Sequence, residues 1–201
     1  MMSKIPIALI FSRLVIGLVL IYLSAFDIAN YKAIAVILLS VGLLTDIFDG
    51  IVARHLNVST QRLRRLDSTI DQIFFISVAV ATYIQCQDSF STNAIKLTML
   101  LGAEALAYLI SFVKFSKEIA THSIGAKIWT LFLFATLVQV IAQCQSEVLF
   151  NFCFYIGVFT RLEIIAIILT LKNWTNDVPT VYHAIKLRQD KPIRRHKIFN
   201  G

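Results

Sequence analysis

The 201-residue sequence predicts an all-α integral membrane protein with six transmembrane helices and both termini in the cytoplasm. Composition is the first reason, since 57% of the residues are apolar and only 15% are charged, a balance foreign to soluble domains of this size. Segmentation is the second. Apolar stretches cover residues 5–26, 31–53, 67–87, 91–115, 126–146 and 148–171, and each has about the 20 residues that a helix needs to cross a 30 Å hydrocarbon layer. Charge placement is the third, because basic residues collect on alternate connections, as cytoplasmic loops require.

The segments follow in order. "MMSKIPIALIFSR" lacks a small-residue cleavage site after a short apolar core, so the first stretch is expected to stay as a span rather than leave as a signal peptide. The second span carries Lys32 near its start and closes on "TDIFDGIVAR"; the third opens on "LDSTIDQ" after a loop containing Arg62, Arg64 and Arg65. Lys114 and Lys117 follow the fourth span, and Lys127 enters the fifth. The sixth contains Arg161, eleven residues before Lys172, hence about 16 Å below the cytoplasmic end of a helix. A charge at that depth faces a partner or a polar cavity. Glu104 and Glu163 are the acids within reach, so a structural Arg161–Glu104 pair and a role in binding an acidic substrate both stay open.

Residues 172–201 form a basic tail with Trp174 and Tyr182, suited to a helix lying on an anionic membrane surface. The whole chain reads as one membrane domain, and its net charge of +7 reflects topology and anionic headgroups rather than nucleic acid. Cys86, Cys144 and Cys153 fall near the non-cytoplasmic span ends without metal-type spacing and read as small apolar fillers.

Asp46 and Asp49 are three residues apart, and Asp67 and Asp71 are four apart, spacings that put each pair on one helix face. Facing one another at the cytoplasmic surface, the pairs aim four carboxylates into one pocket. Acids that close together need cations among them. Hard divalent ions, Mg²⁺ or Mn²⁺, suit carboxylates and keep positions free for phosphate oxygens. Arg54, one turn past Gly50, adds a fixed positive charge for the same anion. Taken singly, each aspartate is more readily a solvated interfacial residue or, for Asp67, a helix cap; the pattern D-x-x-D-G-x-x-A-R followed by D-x-x-x-D is not explained that way.

This pattern resembles the signature of the CDP-alcohol phosphatidyltransferase family, D-x2-D-G-x2-A-R-x8-G-x3-D-x3-D. Asp46, Asp49, Gly50, Ala53, Arg54, Asp67 and Asp71 meet seven of its eight defined positions, and Leu63 stands where the family has its second glycine. The resemblance implies transfer of a phosphatidyl group from CDP-diacylglycerol to the hydroxyl of a polar, phosphorylated alcohol of the glycerol 3-phosphate or inositol phosphate type, with release of CMP. It further implies two Mg²⁺ or Mn²⁺ ions held by Asp46, Asp49, Asp67 and Asp71, with Asp46 and Asp67 bridging and Asp71 also acting as base. Gly50 and Ala53 would admit the nucleotide, Arg54 would pair with phosphate, and Thr60 matches a hydroxyl position near the nucleotide. The opening "IPIALIFSRLVIG" is similar to phosphatidylglycerophosphate-synthase-like members, which makes Ser12 and Arg13 candidates for donor contact. Lys114, Lys127 and Arg161 are the corresponding acceptor-binding candidates. A homodimer in the bilayer also follows from the resemblance, while the charge distribution puts the active site at the cytoplasmic face (of the inner membrane, if bacterial).

Two other classes stand beside this reading. A divalent-cation transporter or channel needs acids continuing across the bilayer, whereas these cluster at one face beside Arg54 and a basic loop. A catalytically inactive family member is suggested only by Leu63.

Overall fold

The computed structural model describes residues 5–26, 28–56, 58, 60–119 and 123–193, with side-chain detail except at 54, 61, 62 and 64. Among the described residues it is wholly helical: α1 (Ile5–Ala25), α2 (Tyr31–His55), α3 (Gln61–Gln85), α4 (Gln87–Thr92), α5 (Ala94–Phe115), α6 (Ile124–Gln143), α7 (Val148–Thr170) and α8 (Val181–Arg188). Among the described residues five helices are long and apolar enough to cross a membrane: α1, α2 through Ala53, α5, α6 and α7. Their exposed faces carry large apolar side chains such as Val15, Leu18, Val113 and Phe159, as lipid contact requires. The protein is an integral membrane protein.

The third expected span differs. α3 starts at Gln61 rather than at residue 67, because Thr60 caps it: the Thr60 Oγ1 accepts a hydrogen bond from the Leu63 N–H at 3.2 Å, satisfying one of the donors that a helix start leaves open. The basic residues expected in a loop therefore lie within α3, and its charged first half removes it from the helices apolar enough to span. Asp67 sits well past the first turn, so it is not a cap.

The chain divides into two compact units, Met1–Ser91 with Leu137–Ser146, and Thr92–Thr136 with Glu147–Gly201. In the first, α1 packs along both α2 and α3, while α2 and α3 touch one another little. Pro6, Ile10, Arg13, Gly17, Leu20 and Ser24 are buried along α1, a single stripe at spacings of three and four. Two glycines permit the close approach. A Cβ at Gly17 would lie 3.0 Å from the Ser77 Cβ, and one at Gly42 would lie 2.3 Å from the Phe74 ring, so Phe74 of α3 rests directly on the α2 backbone. Buried hydroxyls find partners within their own helices, as Ser77 donates to the Ile73 carbonyl and Thr82 to that of Val78.

At the far end of this unit Cys86 and Cys144 form a disulfide. This corrects the expectation that both are apolar fillers: their separation of 58 residues hides the fact that the end of α3 meets the turn after α6. Cys153 is free and buried, as a filler should be.

In the second unit α7 packs against α5 and α8. Ala107, Ile164 and Ile168 form one apolar cluster, and Ile167, Leu171, Val178 and Ala184 form another that seats α8 through Ala184. Ser116, in the left-handed region at φ 52°, ends α5, with its N–H on the Phe112 carbonyl, a usual helix stop.

Candidate active site

α2 presents Asp46 and Asp49 on one face, and α3 presents Asp67 and Asp71. α1, packed against both, brings a residue between them. The Arg13 guanidinium donates through Nη1 to Asp46 Oδ1 at 2.8 Å and to Asp71 Oδ1, and through Nη2 to Asp67 Oδ1 at 2.5 Å and to Asp49 Oδ2. One cation thus gathers four carboxylates. Its side chain is 0% exposed and that of Asp49 is 4% exposed, whereas Asp46, Asp67 and Asp71 are 36%, 30% and 28% exposed. The cluster is closed at Asp49 and open at the other three acids.

The helix approach that makes this possible lies one turn away. Gly17 follows Arg13, Gly42 precedes Asp46, and Phe74 follows Asp71, so the tight layer of Gly17, Gly42, Phe74 and Ser77 is stacked directly on the layer of charges. The sequence alone points Arg13 toward the donor and does not place it among the acids. The available signal was its position in the buried stripe of α1: an arginine there needs carboxylate partners, and the two motifs supply them.

Ser12, its neighbour, donates instead to the Leu9 carbonyl at 2.7 Å. Gly50 is partly exposed and Ala53 is buried on α2. Arg54 belongs to α2, and its side chain lies outside the described residues. Thr60 is exposed and serves as the α3 cap, and Leu63 lies in the first turn of that helix.

In the second unit Arg161 donates from Nε to Glu104 Oε2 at 2.6 Å and stacks on Trp129, whose ring centroid is 3.6 Å from Cζ. Its Nη1 is buried without a hydrogen-bond partner among the described residues. Lys114 donates to the carbonyls of Ile168 and Leu169 at 3.0 and 2.7 Å, where a cation complements the open carbonyls and negative dipole end of α7. Lys127 is exposed in the first turn of α6.

The family model for CDP-alcohol phosphatidyltransferase matches residues 3–176. The chain belongs to the CDP-alcohol phosphatidyltransferase family. It is also similar to a CDP-diacylglycerol--glycerol-3-phosphate 3-phosphatidyltransferase of Aquifex aeolicus (strain VF5), at 28% identity over 176 residues that cover 86% of this chain and 93% of the relative. No solved structure matches the chain.

Divalent metal is the usual cofactor of these transferases, and the acids here fit one. Asp46, Asp49 and Asp67 each offer an oxygen, all within 4.8 Å of one another. Two oxygens on opposite sides of one Mg²⁺ stand about 4.2 Å apart, so adjustments of a few tenths of an ångström bring the transferase's carboxylates to ligating distance. The donor set is all oxygen, as hard cations prefer. The guanidinium among these oxygens shows that the pocket already accepts a cation.

Proposed function

We propose that this transferase moves the phosphatidyl group of CDP-diacylglycerol onto the hydroxyl of a phosphorylated alcohol of the glycerol 3-phosphate type and releases CMP. The observation that carries this reading is the convergence of the four motif carboxylates on one point, open on the side of Asp46, Asp67 and Asp71. The Aquifex relative named for CDP-diacylglycerol and glycerol 3-phosphate supports the choice of acceptor.

Asp46, Asp49, Asp67 and Asp71 would hold two ions, Mg²⁺ or Mn²⁺. Such ions neutralise the diphosphate and stabilise the charge that develops on the departing nucleotide. Asp71 accepts the proton of the alcohol as the alcohol oxygen bonds to the phosphorus that carries diacylglycerol. The bond from that phosphorus to the bridging oxygen breaks, and CMP leaves with the electron pair. Gly50 and Ala53 keep side-chain bulk away from the nucleotide on α2, Arg54 pairs with its phosphate, and Thr60 and Ser12 lie toward the donor. For the acceptor's phosphate we propose Lys127 first, with Lys114 and Arg161 as further candidates.

We also place the acid end of the first unit at the cytoplasm. Asp71 and Cys86 are fifteen residues apart, about 22 Å along and past the end of α3. Disulfides persist in oxidising compartments and are rare in the cytosol, so the Cys86–Cys144 bond supports an acid cluster on the reducing side. α3 is about 37 Å long at 1.5 Å per residue, with its charges confined to the acid end, which supports counting it as the third of six spans with both termini cytoplasmic. A homodimer is proposed from the family resemblance.

The deciding experiment incubates the purified protein with CDP-diacylglycerol, Mn²⁺ and a panel containing glycerol, glycerol 3-phosphate, inositol and inositol phosphate. CMP release with a phosphorylated alcohol and not with its unphosphorylated form is the expected result. No CMP with any alcohol would identify an inactive member, and equal use of glycerol would remove the acceptor assignment.

A further inference from the structure

Arg13 spends its four hydrogen bonds on the same carboxylates that would ligate metal. Asp46 Oδ1, Asp49 Oδ2, Asp67 Oδ1 and Asp71 Oδ1 each receive a guanidinium N–H. A carboxylate oxygen that accepts a charge-assisted hydrogen bond at 2.5 to 2.8 Å cannot also lie about 2.1 Å from a Mg²⁺ on the same lone pair without the N–H moving aside. The guanidinium and the divalent ions therefore compete for one set of carboxylates.

Charge sets the sense of the exchange. Arg13 brings one positive charge to four carboxylates, which leaves the cluster strongly anionic and attractive to cations. Two divalent ions would balance the four carboxylates outright, and Arg13 would then be a surplus cation in a buried place, 0% exposed. A surplus buried cation seeks an anion, and the diphosphate of the donor is the anion that this site binds. Arg13 is anchored for a short movement. Its backbone is held by the packing of Gly17 against Ser77 one turn further along α1, and its Nε, buried without a hydrogen-bond partner among the described residues, is not tied to the acids.

We infer that Arg13 is a built-in counter-cation of the metal pocket, which holds the four aspartates together until divalent ions displace its guanidinium and free it to pair with the donor's diphosphate. The inference rests on the metal assignment made above. It assigns Arg13 a role that differs from both a permanent donor contact and a passive membrane anchor: metal loading and donor binding become linked through one side chain.

The test measures Mn²⁺ binding directly, by the electron paramagnetic resonance signal of free Mn²⁺, alongside thermal stability in detergent with chelator and with Mn²⁺. Proteins compared are the unaltered chain, Arg13→Gln and Arg13→Lys. Removing the competitor should tighten Mn²⁺ binding by Arg13→Gln at least tenfold, while lowering its thermal midpoint in chelator and restoring that midpoint in Mn²⁺. Arg13→Lys, which keeps the charge but loses the planar fork, should fall between the two in both measurements. In the unaltered chain, CDP-diacylglycerol should tighten Mn²⁺ binding, and in Arg13→Gln that linkage should shrink.

If the unaltered chain binds Mn²⁺ and Arg13→Gln binds it equally or more weakly, the exchange is overturned and the metal assignment stands. A variant that stays unfolded even in saturating Mn²⁺ also overturns it, because metal then fails to replace the guanidinium. Absence of Mn²⁺ binding in all three proteins overturns the metal assignment and the exchange together. Binding by Arg13→Gln alone supports the exchange in its strongest form.

Discussion

Each unit of the chain buries an arginine in an apolar helix, and the two arginines are treated in opposite ways. Arg13 of α1 meets four carboxylates, three of them partly exposed. Arg161 of α7 meets one, Glu104, and covers its remaining face with the Trp129 ring. A one-to-one pair over an aromatic ring is close to neutral, and its main service is to avoid an uncompensated charge in the bilayer. A one-to-four cluster is far from neutral and has use for additional cations. The ratio of acids to bases therefore separates the two arginines more clearly than burial does, since both guanidinium groups are buried.

The sharpest way to break this comparison is to neutralise the acids one at a time. Asp71→Asn and Asp67→Asn should each reduce CMP release by about a hundredfold to ten-thousandfold, the span of a lost general base and more where a metal ligand goes with it. The thermal midpoint should change little, because three acids still accompany Arg13. Activity retained in both variants would remove the chemistry from the cluster.

Arg161→Met should do the reverse in the second unit. Leaving Glu104 without its partner is expected to lower stability by about 3 kcal/mol, read as a lower thermal midpoint in detergent, with the donor KM unchanged. The double variant Arg161→Met with Glu104→Gln should recover most of that loss. Recovery of stability together with a tenfold rise in acceptor KM would give Arg161 both duties; recovery with an unchanged acceptor KM would leave it as a lock alone.

A smaller effect is expected at the far end of the first unit. Cys144→Ser should lower stability by about 2 kcal/mol, toward the low end for a loop of this length because the bilayer already confines the unfolded chain. Alkylation of the purified protein followed by peptide mass spectrometry should find Cys86 blocked only after reduction. A free thiol at Cys86 in protein taken from the membrane would remove the support for a cytoplasmic acid cluster.

Leu63→Gly is expected to have the smallest effect. Leu63 sits in the first turn of α3 with its N–H on Thr60, so a glycine there weakens the helix start by under 1 kcal/mol. If the position faces the donor, the KM for CDP-diacylglycerol should change several-fold with little change in turnover. No change in either would show that the first turn of α3 stays clear of the nucleotide.

The all-helical membrane character and the grouping of the four acids were legible from the residues alone. Apolar run length against bilayer thickness is a one-dimensional property, and carboxylates three or four apart share a helix face wherever the helix lies. The Arg161–Glu104 pair was legible as one of two alternatives, because depth along a span follows from counting. The start of α3 was misjudged, since a threonine cap at Thr60 outweighs the charges that follow it.

What needed three dimensions was everything that depends on which helices touch. That α1 lies between α2 and α3, that Phe74 rests on Gly42, that Cys86 reaches Cys144 and that Arg13 gathers all four aspartates are contacts between residues 30 to 60 positions apart. Local periodicity shows which face of a helix is buried but not what buries it; helix packing, decided by where glycines permit close approach and where charges must be compensated, supplies the partner.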